Sequence, residues 1–218
     1  MSLPELSEPQ IEWVADQVAK YIEGQRQTYR GNAVSLNDSQ KAAMHSFFPG
    51  AVLNSTRIVA LTGKQVSNPA FYPELIQMGF VTESLPDFTM MAAITFVDTV
   101  VFHEAVENRT LFHELVHVVQ YQKLGLNGFA TRYVKGFLTG GSYGAIPLEM
   151  NAYELDACFA AAPANAFPVE DEVQELDRRG NVLGQEQRAH NLLGTGAAFC
   201  LGASGYLVGD GARSRPPQ

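Results

Sequence analysis

Apolar residues near the start of the chain recur at helical spacing. Ile11, Val14, Val18 and Ile22 share one face, Trp13 lies beside them, and Ser7 is placed to cap the first turn. The pattern predicts a helix to about Tyr29. A shorter helix is expected from a cap at Asn37 or Asp38 to about Phe48, where Pro49-Gly50 breaks it. Residues 56–61 read as a strand, and residues 63–90 as loops around a short helix. From Ala92 to Phe102 the period changes to two. Ala93, Thr95, Val97, Thr99 and Val101 alternate with Ile94, Phe96, Asp98, Val100 and Phe102, which predicts one strand.

The next segment returns to the helical period with a different character. Leu111, Leu115 and Val118 form one stripe, and Phe112, Val116 and Val119 form another. A helix apolar nearly all round is a core helix. It is expected to stop near Leu124-Gly125, with Gly125 at the C′ position. A helix from about Asn127 to Leu138, a turn at Gly140-Gly141 and a final helix opened by Pro147 complete the pattern.

Inside the core helix stand His113, Glu114 and His117. Charged and polar groups buried there are costly without a partner. Two histidines four residues apart lie one above the other on a helix, so both imidazoles can reach one ion. Glu114 follows the first histidine, where its carboxylate can reach a water on that ion. H-E-x-x-H on a helix is the signature of a zinc hydrolase with glutamate as general base. His103-Glu104 does not repeat it, because Glu107 holds the position of the second histidine.

A catalytic zinc site needs a third protein ligand. Gln120 and Lys123 exclude a histidine shortly after His117, so the ligand must lie further on. In the helix opened by Pro147, Leu148, Ala152, Leu155 and Phe159 define the core face. Glu149 borders that face, Asp156 falls beside Glu149 seven residues later, and Glu154 points to solvent. Glu149 is the expected third ligand and Asp156 the expected support behind the ligands.

The combination resembles the gluzincin branch of the zincin metallopeptidases, which use H-E-x-x-H and a downstream glutamate on a second helix. Glu149-Met150-Asn151-Ala152-Tyr153 is similar to the E-x-x-A-D of membrane-bound CaaX-type proteases. The first motif is similar to the H-E-L-x-H-V-x-Q of small bacterial zincin-like proteins. The likeness covers roughly residues 90–160, and Tyr153 stands where better-known members carry aspartate. The resemblance implies a zincin-like α+β fold, mostly helical, with a small mixed sheet beside the motif helix. It also implies Zn2+ held by His113, His117 and Glu149, and peptide-bond hydrolysis with Glu114 as base. The strand before the motif would pair with an extended peptide or protein substrate. Such a reaction calls for an oxyanion stabiliser, for which Tyr143 and Tyr133, both between the two metal helices, are candidates. A non-catalytic metal-binding module serving in protein binding or assembly is the alternative.

Composition narrows the setting. With 218 residues, 46% hydrophobic and 17% charged, the chain suits a well-buried core. The boundaries expected are 1–165 for the metallopeptidase domain, 166–209 for an acidic and then Gly-rich apolar segment packed on it, and 210–218 for a disordered tail. The net charge of −8 argues against nucleic acid and anionic membrane surfaces as partners. Residues 191–209 carry no charge but are too rich in glycine to read as a membrane span. No signal peptide is seen, so a cytoplasmic location is expected. Cys158 and Cys200 are expected as free thiols in apolar surroundings.

Overall fold

The computed structural model describes residues 3–173, an α+β arrangement of six α-helices and one four-stranded sheet among those residues. Helix α1 spans Glu8–Arg30 and starts at Ser7, whose backbone N–H and side chain both bond Gln10. Helix α2, Asp38–Met44, is capped by Asn37, which accepts from the Gln40 backbone N–H. Helix α2 stops at Met44, short of the Phe48 expected, and Pro49 does not break it but opens a further helix, α3, Gly50–Ser55, that the periodicity did not predict. Only Val52 and Leu53 of α3 are buried, too few to leave a period. Helix α4 covers Tyr72–Gln77.

The sheet contains β1 (Val34–Ser35), β2 (Arg57–Ala60), β3 (Ala93–Phe96) and β4 (Thr99–Phe102) in the order β1-β2-β4-β3. Strands β2 and β4 run parallel, and the other two pairs antiparallel. The alternating run 92–102 is thus a hairpin, not the one strand expected. Its period survives the turn because Val97-Asp98 is a two-residue connection joining the paired Phe96 and Thr99. Both arms are buried on both faces, so composition along the run does not mark the turn. Val97 has φ 62°, a conformation that costs a β-branched residue roughly 1–2 kcal/mol. What holds it is Asp98. Arg26 of α1 clamps its carboxylate with Nε–Oδ1 at 2.8 Å and Nη2–Oδ2 at 3.0 Å, and Arg30 joins them.

Helix α5, Asn108–Gly140, is broken at Gly125 (φ 68°, ψ 168°), where the end of the motif helix was expected. Every residue from Leu111 to Tyr121 is buried. Helix α6, Pro147–Ala161, buries Leu148, Ala152, Leu155 and Phe159, the face predicted for it, together with Glu149 and Asp156. Aromatic packing sets the register between α5 and α6. The Phe112 and Phe159 rings stack at 4.5 Å, and Phe47 meets both edge-on. Such pairs contribute roughly 0.5–1.5 kcal/mol each beyond area burial. Val169 and Val173, at the start of the segment that follows residue 165, belong to the same core cluster.

One glycine fixes how closely the two helices approach. A Cβ on Gly136 would lie 2.6 Å from Pro147 Cδ, and both atoms belong to rigid groups. Cys158 is not a free thiol, against expectation, and Cys200 lies outside the described residues. Among the described residues no helix is long and apolar enough to cross a membrane. The run 191–209 and the tail 210–218 lie outside them.

Two stability effects follow. Burial pushes the Asp98 carboxyl up, but the Arg26 and Arg30 guanidiniums outweigh it and hold its pKa below the usual carboxylate range. Stability from a depressed carboxyl is present above its unfolded pKa of about 3.9 and lost as pH falls through the folded value. Asp98→Asn should therefore cost about 1 kcal/mol in urea unfolding at pH 7. The gap from wild type should narrow as the solution is acidified below about pH 4; a gap unchanged at pH 2.5 would contradict the assignment. Gly136→Ala would gain roughly 0.5–1 kcal/mol from helix propensity alone. The clash with Pro147 should reverse that sign, for a net loss of about 1–2 kcal/mol. A thermal midpoint above wild type would show that the contact yields.

Candidate metal centre

Helix geometry brings His113 and His117 onto one face of α5, and the first turn of α6 brings Glu149 against them. The two Nε2 atoms are 3.2 Å apart, and Glu149 Oε2 lies 3.6 Å from His113 Nε2 and 3.4 Å from His117 Nε2. All three residues are buried, at 7%, 6% and 4% exposure. They are a cluster able to hold a metal ion among the described residues. Of the two glutamates weighed on α6, Glu149 faces the histidines and Glu154 is exposed.

The hydrogen bonds behind the imidazoles decide what the cluster presents. Gln120 is fully buried and sends its amide N–H groups to the Leu148 carbonyl at 3.0 Å and Asn151 Oδ1 at 3.1 Å. A backbone carbonyl can only accept, so the amide oxygen must be the atom that faces His117. That oxygen lies 2.8 Å from His117 Nδ1, which therefore carries the proton and donates. His113 Nδ1 lies 2.9 Å from Asp156 Oδ2 and donates to it. Asp156 Oδ1 accepts from Arg109 Nε and Nη2 at 3.0 and 2.7 Å. With both Nδ1 atoms used, each Nε2 turns a lone pair toward the other and toward Glu149. Glu149 Oε2 is buried without a hydrogen-bond partner. Three electron-rich atoms facing one another in a dry interior call for a cation between them.

Without a metal, protons are what the cluster draws in. Burial lowers the His113 pKa, but the hydrogen bond to Asp156 and the nearby Glu149 carboxylate outweigh it and raise the value to about 10. His117 is likewise raised: burial opposes the shift, and the Glu149 carboxylate overcomes it. Burial pushes Glu149 up, yet the two histidines hold it far below the usual carboxylate range. The site attracts positive charge strongly, and a metal ion binding there would displace protons.

The other expected residues fall close by. Glu114 lines the same cavity as His117 and Glu149. Thr95 of β3 donates to Glu114 Oε2 at 2.7 Å, and Oε1 takes no hydrogen bond from the described residues. Tyr143 and Tyr133 both line that cavity. Burial, followed by the Glu149 charge, raises each phenol well above its ordinary pKa, so both are neutral donors. The Tyr153 ring lies 4.6 Å from the His113 ring, and Asp156 fills the supporting role expected of it. His103 does not join the site. Its Nε2 accepts from the Val66 backbone N–H at 2.9 Å, so it is a part-buried clasp on the preceding loop and not a surface histidine.

Gln120, Thr95 and Arg109 are the site residues that the pattern did not assign. Each had a signal. Gln120 is a fully polar side chain in an otherwise apolar helix, Thr95 a hydroxyl in an apolar alternation, and Arg109 lies one turn before His113. No protein-family model, curated protein or solved structure matches the chain.

Gln120 is the stronger test of the arrangement, because it ties His117 to the turn that carries Glu149. Gln120→Leu removes both ties while keeping an apolar filling. Zinc affinity, measured by competition with a chromophoric chelator, should fall by about 10–100-fold. Wild-type affinity in that variant would remove Gln120 from the site.

Proposed function

We propose that this chain is a zincin-like zinc hydrolase that cleaves peptide bonds, with His113, His117 and Glu149 as ligands and Glu114 as general base. The observation that carries the proposal is the set of three lone pairs, on two fixed imidazole tautomers and an unpartnered buried carboxylate oxygen, turned toward one volume. Two imidazoles and one carboxylate form a catalytic zinc set that leaves a fourth position for water. The α+β layout, with a small mixed sheet against the motif helix, supports the zincin-like reading. When bound there, zinc would lower the pKa of its water toward about 7 and polarise a carbonyl.

The chain's own groups supply the rest. Glu114 accepts the proton of the attacking water at Oε1, while the Thr95 hydroxyl holds Oε2 still. It then returns the proton to the leaving amine. Tyr143 donates its hydroxyl hydrogen to the developing oxyanion. Strand β3 ends the sheet, and its residues line the same cavity, which supports pairing with an extended substrate.

Elemental analysis of purified protein should find about one zinc per chain. The His113→Ala, His117→Ala double variant should lose it. Glu149→Ala should weaken zinc binding sharply and Glu154→Ala should not. Glu114→Gln should keep the metal but cut cleavage of a mixed-sequence peptide library by at least about 100-fold. Zinc retained by the double variant would sink the metal assignment. Zinc held with no cleavage by wild type would point instead to a metal-binding module serving in protein binding or assembly.

A further inference from the structure

We infer that the cavity beside the cluster binds one branched aliphatic group, of about four to six carbon atoms, belonging to a ligand whose polar end reaches His117 and Glu149. The inference rests on the metal reading for that polar end and on the cavity itself for the apolar group. The cavity is about 100 Å³. An apolar cavity of about 150 Å³ holds a benzene molecule, so the space here fits a side chain of leucine size better than an aromatic ring.

Its wall says what can enter. Val14 of α1, Ile94 of β3 and Phe129, Val134, Phe137 and Leu138 of α5 supply apolar surface. Three tyrosines on the wall have their hydroxyls committed to backbone carbonyls. Tyr21 donates to Ser67, Tyr72 to Pro86 and Tyr121 to Thr95. They offer the cavity rings, not donors. The titratable residues on the wall, the tyrosines apart, are Glu114, His117 and Glu149, and among the described residues no lysine, arginine or aspartate lines it. The two remaining tyrosines of the wall, Tyr133 and Tyr143, lie by Glu149 at the cluster end, so a polar or anionic group entering beyond them would be desolvated without a partner. An aliphatic group would lose only its hydration.

The test uses alkyl hydroxamates as metal-binding probes on zinc-loaded protein, running from acetyl through butyryl and 3-methylbutanoyl to octanoyl. Affinity should rise about fourfold per added methylene to 3-methylbutanoyl, then level off or fall at octanoyl. Val134→Phe, which fills the cavity, should abolish the gain along the series. Should that variant not fold, Phe137→Leu widens the cavity and should move the optimum to a longer tail. Affinity independent of tail length, or variants that leave the series unaltered, would overturn the inference. Xenon with metal-free protein separates the two readings. Shifts in the methyl signals of Ile94, Val134 and Leu138 are expected. Their absence would overturn the cavity. If they appear while no hydroxamate binds, the metal reading has failed, and with it the polar anchor assigned here.

Discussion

The centre of this molecule is organised around crowded polarity that positive charge, from protons or a metal ion, would relieve. Two imidazole lone pairs and a carboxylate oxygen are held face to face, and none can turn away. His117 is fixed by Gln120, whose own orientation is fixed by the Leu148 carbonyl. His113 is fixed by Asp156, which Arg109 holds in turn. Glu149 follows Leu148 directly, so the group that sets the His117 tautomer also seats Glu149 against the histidines. Two helices are therefore joined through the site as well as through the Phe112–Phe159 stack. Removing the cation's partners one at a time would leave buried, uncompensated polarity, which costs more than the lost bond itself.

The metal-binding candidates were legible because they violate the pattern around them. A histidine pair and a glutamate in a helix apolar on every side need a reason, and the α6 period separates Glu149 from Glu154 by packing alone. Gln120 and Thr95 depart from the pattern in the same way, but an amide or a hydroxyl is far less costly to bury than a charge, so neither stands out in the sequence. The fold was less legible where signals are local. The Val97-Asp98 turn contains neither glycine nor asparagine, and it is held by Arg26 and Arg30 from some seventy residues earlier. Long-range ion pairs leave no mark on local periodicity. Helix α3 and strand β1 are too short to carry a period at all.

Backbone approach matters as much as side-chain chemistry. Gly125 takes a conformation that ends the motif helix and redirects the chain, so that Phe129 comes to stack on Tyr121 at 3.8 Å. Gly136 then lets the second half of α5 press against Pro147, two residues before Glu149. The three clustered residues thus sit on helices whose spacing is set by small residues, an arrangement that holds a site more tightly than loops would.

The two histidines are not equivalent, and the difference gives the site a direction. His113 is backed by Arg109, whose side chain is 60% exposed, and is covered by Tyr153, which is 47% exposed. His117 is backed by Gln120, which is fully buried, and it lines the apolar cavity with Glu114. One side of the cluster therefore meets solvent and the other meets hydrocarbon. Water and charged groups are tolerated on the Tyr153 side, where their solvation is not lost. On the His117 side, beyond Tyr133 and Tyr143, the wall is hydrocarbon, and only apolar groups enter it without penalty. Glu114 lies on that side, and the Thr95 hydroxyl keeps it from turning away.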